Sequence, residues 1–314
     1  MFVIGILMDS IESIDFRSDS TISIIKCLQN KSNIKLIDPK SIYQESNIIN
    51  GTVYDVKINS IRKSEYELTK RKNINLNKLD CILFRKDPPV DNHYISLLQI
   101  IKQLEYQNTL ILNSPDSLIR FNEKILGYEL SNPKVPTIIG SSLKKIKALL
   151  DTHKEIVLKP MNMMAGKGII RLKQNKDSIK KINEYLDKYK IIIAQKFLRE
   201  IKDGDNRIII YDGIIHDKVM TRYPSKGDFR SNLACGGSYK IQEINKSYLP
   251  LLADIASFLK YHGIFFAGID MIGKYITEIN ITSPTGLQQI GRGLSNKISN
   301  KLLERVKVFH EFTK

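Results

Sequence analysis

The sequence predicts an α/β protein: an N-terminal domain with a largely parallel sheet, followed by a two-part α+β body. Three observations carry this. Short apolar runs alternate with helix-spaced segments through the first third, as in a parallel sheet with crossover helices. The middle places strands around a small-residue loop and a helix. The last third opens and closes on hairpins, with a long Gly-, Ser- and Arg-rich stretch between them.

Taken in order, residues 2–7 are a short apolar run, read as a buried strand, and residues 18–28 have helical spacing at Ile22, Ile25 and Leu28. Residues 33–37 read as a second strand, ended by Asp38-Pro39. Asn50-Gly51 is expected to turn a hairpin between 46–49 and 52–58. Residues 81–84 form a strand closed by Asp87-Pro88-Pro89, 95–106 a helix, and 110–112 a strand stopped at Asn113-Ser114-Pro115. A helix over 143–150 and a strand over 155–158 lead to Lys159-Pro160. The loop Ala165-Gly166-Lys167-Gly168 precedes a strand at 169–172, a helix at 179–186 and a strand at 191–195. Strands 207–211 and 214–216 flank the turn Asp212-Gly213. Residues 224–237 show no hydrophobic period, and an irregular loop of that length is usually functional or disordered. A helix over 248–262 carries Leu252, Ile255 and Leu259 on one stripe, and strands 265–272 and 276–281 follow.

Of the 314 residues, 42% are hydrophobic and 26% charged, which excludes wholesale disorder, a fibrous repeat and a disulfide mini-protein. No apolar run approaches the roughly 18 residues that span a bilayer. The first segment lacks a basic flank, so no signal peptide and no membrane partner are expected. Cys27, Cys81 and Cys235 are odd in number and form no CxxC pair, which fits a reducing compartment; a cytoplasmic location is expected. The net charge of +16 favours anionic partners. The lysines are dispersed, however, with no polybasic arm, and no dedicated nucleic-acid partner is expected.

The strongest chemical signal is the segment from Phe266 to Asn280. A three-residue turn, Gly273-Lys274-Tyr275, would pair Ile272 with Ile276 and Asp270 with Glu278, and alternation puts Asn280 on the same face. Ile269, Met271, Ile279 and Ile281 then form the core face. Like charges opposed across a sheet repel. A hard divalent cation would resolve the conflict, since Mg²⁺ takes one or two carboxylates together with substrate phosphates. A solvated hairpin face is the competing reading. Lys124 at a helix start and Lys159 at a strand end, with the glycines Gly166 and Gly168, would suit a nucleotide phosphate site. The loop is neither a Walker A motif nor GxGxxG.

These residues resemble the bacterial glutathione synthetases, a branch of the ATP-grasp carboxylate–amine ligases. The similarity begins at Gly5-Ile6-Leu7-Met8-Asp9 and continues through Arg85-Lys86-Asp87-Pro88-Pro89, Asn122-Glu123-Lys124 and Leu158-Lys159-Pro160. It resumes at Ile201-Lys202-Asp203-Gly204-Asp205 with Arg207, and at Arg230, Asn232, Leu233, Gly236 and Gly237. It closes with Gly268-Ile269-Asp270, Thr277-Glu278-Ile279-Asn280 and Thr282-Ser283-Pro284-Thr285. The family's Asp-Gly-Met-Gly-Gly run reads here Asn162-Met163-Met164-Ala165-Gly166. A positive φ at Met163 or Ala165 would therefore be costly.

The resemblance implies a pre-ATP-grasp domain over 1–121, a central ATP-grasp subdomain over 122–198 and a C-terminal subdomain over 199–314. It implies ATP and Mg²⁺ (or Mn²⁺) as cofactors, γ-glutamylcysteine and glycine as substrates, and a homo-oligomer. Lys124 and Lys159 would hold phosphate oxygens, with Gly166, Lys167 and Gly168 beside them. Gln195-Lys196-Phe197-Leu198 would be the adenine hinge, and Asp270, Glu278 and Asn280 the metal ligands. Arg207 and Arg230 would act catalytically on the anionic reactants. Asp9, Arg85, Asn232 and the turn Ser283-Pro284-Thr285 would bind substrate. The implied reaction activates the cysteinyl carboxylate as an acyl phosphate, which the glycine amine attacks. The loops 162–168 and 224–237 are the candidate lids. An ATP-grasp ligase of the glutamate-adding type, and a degenerate non-catalytic homologue, are the alternatives.

Overall fold

The computed structural model describes residues 1–312 and contains three sheets. The first forms around Val3–Leu7, whose apolar side chains bury both faces, as a central parallel strand requires. Asn33–Ile37 pairs parallel on one side of it and Cys81–Phe84 on the other, with Leu110–Leu112 beyond. The chain therefore reverses direction across the sheet at Val3–Leu7. A crevice opens at the carboxyl ends of Val3–Leu7 and Cys81–Phe84, the usual place for a ligand in such sheets.

The outer part of this sheet is antiparallel and differs from the sequence expectation. Asn50-Gly51 makes no turn. Both residues lie within the long strand Ile48–Ser60, and the hairpin reverses at Ser46 and Asn47, with Ser46 at φ +53°. Pairing on both sides, with Tyr43–Glu45 and with Lys72–Asn75, overrides the local turn preference. At Gly51 the missing Cβ leaves room for Ile42 and Leu76.

The second sheet is antiparallel, in the order Ile170–Lys173, Glu155–Pro160, Ile192–Lys196, Thr137–Gly140. Helices Leu143–His153 and Ser178–Tyr189 cover one face through Ile146, Leu150 and Ile182. The other face is open to the cleft.

The third sheet runs Ser238–Glu243, Ile214–Tyr223, Asp205–Tyr211, Phe266–Ile272, Tyr275–Asn280. Its second strand continues past His216 to Tyr223, longer than expected, and Ser238–Glu243 adds an unexpected edge. The closing hairpin keeps Asp270 opposite Glu278 but reaches that register differently. Ile272 pairs with Tyr275 across the two residues Gly273 and Lys274, and a bulge at Thr277 restores the pairing. Gly273, at φ +56°, supplies the backbone such a tight turn needs.

One continuous core joins the first and third sheets, from Leu7 and Phe84 to Ile208, Ile269 and Ile279. The helix Arg292–Phe312 returns to pack on Ser20–Leu28, where Ser23 and Ser295 hydroxyls meet at 2.9 Å. No helix among the described residues is long and apolar enough to cross a membrane.

Candidate active site

The helix Glu123–Leu130 starts where Asn122 accepts hydrogen bonds from the amides of Lys124 and Ile125. It lies unusually close to Tyr275–Asn280, because a Cβ on Gly127 would stand 2.9 Å from the Cα of Glu278. This approach sets Lys124 Nζ 3.1 Å from a Glu278 oxygen and 2.7 Å from the Met163 carbonyl. On the same helix, Glu123 accepts the amides of Ile281 and Thr282 on one oxygen, which fixes the chain just beyond Asn280. Burial, reinforced by Glu278, raises the Glu123 carboxyl above its usual range.

Lys159 projects from Glu155–Pro160 and donates to Gln195 Oε1 at 2.9 Å. Burial lowers its pKa. Lys196, Phe197 and Leu198 continue the neighbouring strand along the same rim. Val157, Phe197 and Ile201, with Ile169, Phe229 and Ile272, form a small apolar cluster there. Flat apolar walls beside two lysines make a slot suited to a base at one end and phosphates at the other.

Asp270 and Arg207 are directly opposed on paired strands. Arg207 grips both Asp270 oxygens through Nε and Nη2, the latter at 2.7 Å, and donates through Nη1 to the Thr285 carbonyl at 3.1 Å. A Cβ on Gly268 would press on the Arg207 side chain at 3.0 Å. Arg222 reaches Asp270 at 3.0 Å and also binds Asp205. Burial pushes the Asp270 carboxyl up, but Arg207 and Arg222 outweigh it and hold the group well below the usual carboxylate range. Asp205 goes the other way, its pKa raised by burial.

The proposed metal ligands give a hard-oxygen donor set. No group of three or more His, Cys, Asp or Glu side chains able to hold a metal occurs among the described residues. Two carboxylates, an amide and substrate phosphates match the way Mg²⁺ is usually held. Asn280 donates its Nδ2 to the Gly268 carbonyl at 3.1 Å and to Asp270 Oδ2 at 3.4 Å, which leaves Oδ1 as an acceptor. Arg207, Arg222 and, at 3.4 Å, Asn280 Nδ2 all reach Asp270 Oδ2, whereas among the described residues Oδ1 accepts only from Arg207 Nε, so a lone-pair direction on Oδ1 remains for a cation. The residues present therefore fit a divalent cation.

Two loops close over these groups. Ala165 adopts φ +55°, so the positive φ falls at one of the two positions where it was expected to be costly. Gly166 and Gly168 follow with φ +74° and +73°. Arg230 donates to the Gly166 carbonyl at 3.3 Å and is held by Asp228 at 2.7 Å. That bond holds the Asp228 carboxyl down at about 2. Cys235 lies 3.7 Å from the Ala165 carbonyl, and a Cβ on Gly166 would meet Asn232 at 2.7 Å. Loops 161–168 and 224–237 thus touch each other. Lys167 lines the slot, while Gly168 sits at the loop's end against Tyr189.

The N-terminal domain supplies the far wall. Asp9 pairs with Lys86 at 2.8 Å and accepts the Asp87 amide at 3.0 Å. Arg85 is 3% exposed and lies behind the turn Ser283-Pro284-Thr285, donating to the Pro284 carbonyl at 3.0 Å and to Thr21. It holds that turn from beneath. Sequence reasoning missed Arg222 and Asp205 as site members, and missed Asp87, whose carboxylate accepts from Ser283. Asp205 and Asp87 stand inside recognised motifs. Arg222 lies in a part of its strand that carries no apolar alternation.

Two cavities result. One, of about 860 Å³, is lined by Lys124, Lys159, Gln195 to Leu198, Asp205 and Asp270. The other, of about 1420 Å³, is lined by Asp9, Asp87, Arg207, Arg222, Asn280 and Ser283 to Thr285. Glu278, Asn232, Met164 and Ala165 line both.

Comparison with known proteins agrees with this geometry. Residues 2–119 match the model of the prokaryotic glutathione synthetase N-terminal domain, and residues 123–294 that of the prokaryotic glutathione synthetase ATP-grasp domain. Glutathione synthetases of Wigglesworthia glossinidia brevipalpis and Pseudomonas aeruginosa are 36% and 32% identical. They cover 98% and 96% of this chain and 98% and 96% of their own. Among solved structures, a D-cycloserine synthetase superposes with a TM-score of 0.70 at 11% identity, covering 97% of this chain and 99% of its own. D-alanyl-alanine synthetase A from Vibrio cholerae gives 0.64 at 14%, covering 98% of each chain. These two share the fold. The chain belongs to the prokaryotic glutathione synthetase family and is an ATP-dependent ligase of the ATP-grasp fold that works with a divalent cation.

Proposed function

We propose that the enzyme joins γ-glutamylcysteine to glycine, with Mg²⁺ or Mn²⁺ as the cation. One observation carries the reading: the apolar slot with two lysines and the cavity with two buried arginines meet at Glu278. A phosphoryl group held at that junction can pass to a carboxylate bound on the far side.

In this reading the hinge 195–198 and the apolar cluster orient the base, and Lys124 and Lys159 hold phosphate oxygens. Transfer of a phosphoryl group is mostly positioning and charge neutralisation. The cation, bound by Asp270, Glu278 and Asn280, would supply much of that neutralisation. Arg207, fixed by Asp270 and by the Thr285 carbonyl, presents a guanidinium that does not need to reorganise. The acyl phosphate formed on the cysteinyl carboxyl is attacked by the glycine amine, and a nearby guanidinium stabilises the oxyanion. Arg230, at the contact of the two loops, shields the intermediate from water. Asp9, Asn232 and the turn 283–285 line the reactant side.

The test is a panel of amino acids offered with ATP, Mg²⁺ and γ-glutamylcysteine, the product being identified by mass. Glycine should give the tripeptide at least about tenfold faster than alanine, and glutamate should give none. Ligation of glutamate in preference to glycine would overturn the assignment of the acceptor.

A further inference from the structure

The incoming amino acid is an ammonium at neutral pH. It must lose a proton before its nitrogen can attack, and a base within reach of it has to take that proton. The carboxylates lining the reactant cavity are Asp9, Asp15, Asp19, Asp87, Glu123 and Glu278. Most are already engaged. Asp9 is paired with Lys86, Asp15 is bonded to Ser18, Asp19 caps the helix Ser20–Leu28, and Glu278 faces Lys124. Glu123 clamps the chain beyond Asn280. Asp19, Glu123 and Glu278 each use one oxygen in this way, on a helix start, on backbone amides and on Lys124; Asp87 is the one bonded through Oδ1 to Ser283 of the turn 283–285, and its Oδ2 has neither a hydrogen bond nor a cation within ion-pair distance among the described residues.

Its position is also defined. Asp87 is bonded to Ser283, and Arg207, which holds Asp270, is bonded to Thr285. Asp87 and Arg207 are thereby bonded to the two ends of the same three-residue turn. Arg85 fixes the middle of that turn through the Pro284 carbonyl.

We propose that Asp87 is a catalytic residue: its Oδ2 receives the ammonium of the incoming amino acid and takes the proton that frees the nitrogen for attack. This rests on the acyl-phosphate reading above. The proton moves from nitrogen to Oδ2, and the amine lone pair forms the C–N bond. The tetrahedral oxyanion collapses with cleavage of the C–O bond to phosphorus. The leaving phosphate carries off that electron pair and takes the second amine proton, and Asp87 returns the first to solvent as product departs. Burial raises the Asp87 carboxyl, the Ser283 hydrogen bond lowers it, and Asp19 and Asp9 raise it against Arg85. Tyr94, Lys86 and Glu123 complete the ionisable groups around it. A carboxylate raised in this way is a better base.

The test is Asp87→Asn, which keeps an acceptor for Ser283. Glycine is compared with hydroxylamine, an acceptor that is largely unprotonated at neutral pH and traps acyl phosphates as hydroxamates. The glycine rate should fall about 100-fold or more while the hydroxamate rate falls less than about threefold, a split of the size general-base removal produces. Equal loss of both rates, with ATP still shifting the melting temperature as in the wild type, would assign Asp87 to structure and overturn the proposal. So would an unchanged glycine rate. Ser283→Ala gives an independent reading. Losing a bond that lowers the Asp87 pKa should move the acid limb of kcat to higher pH, and an unmoved limb would contradict the proposal. Wild-type enzyme that forms no hydroxamate from γ-glutamylcysteine would instead overturn the substrate reading itself.

Discussion

Burial and the arginines set against it decide how single residues around the cleft ionise. Lys159 stood out in the sequence because a charged residue ended an apolar strand, and burial does lower its pKa. Arg222 gave no such signal: Asp217 and Lys218 interrupt the apolar pattern before it, so its strand was read as ending at His216. Ala165 was legible as a strained position, with Met163, because the resembled family carries glycine at both, and a non-glycine residue at positive φ costs about 1–2 kcal/mol. Away from the site, burial pushes Glu105 up to about 7. The folded state then holds this proton more tightly than the unfolded chain. Its contribution is full below the unfolded carboxyl value and is lost as pH rises through about 7. Glu105→Gln should therefore stabilise the protein at pH 8 by on the order of 2 kcal/mol, after discounting for solvent reach, and change little at pH 4. Urea unfolding at the two pH values checks this; equal effects at both would contradict it.

At the scale of elements, periodicity exposed the parallel strands and the amphipathic helices, since both bury a regular set of side chains. It failed where pairing partners decide. The strand through Asn50-Gly51 and the edge Ser238–Glu243 depend on neighbours distant in sequence. The hairpin carrying Asp270 and Glu278 kept its register although its turn is shorter than expected, because the bulge at Thr277 compensates. Asn113 was read only as a strand stop. It joins two sheets, donating to the Phe266 and Ile281 carbonyls at 2.8 and 2.6 Å and accepting the Phe266 amide at 2.9 Å. Asn113→Ala would strip three buried backbone groups of their partner. A loss of about 3–5 kcal/mol is expected, measured by denaturant unfolding. A loss under about 1 kcal/mol would show that these bonds do not hold the sheets together.

In the whole molecule, the cleft exists because the first and third sheets share one core while the second sheet stands over them on its own core. The sequence showed three regions of different pattern. It did not show that the last 21-residue helix, Arg292–Phe312, packs back on the first domain. That helix carries no motif, and only the packed chain reveals its partner. The site residues, by contrast, come from short motifs that the fold carries to the cleft from all three sheets. The central claim is that this cleft couples phosphoryl transfer on a carboxylate to amide formation. Phosphate release from ATP is its most direct test. It is measured with γ-glutamylcysteine and glycine together, with each omitted, and in the double variant Asp270→Asn, Glu278→Gln. Sustained release should need both reactants and should fall at least about 1,000-fold in the folded variant, a loss in the range for removing preorganised charge stabilisation. Release that continues at the full rate without glycine, or survives in the double variant, would contradict the account.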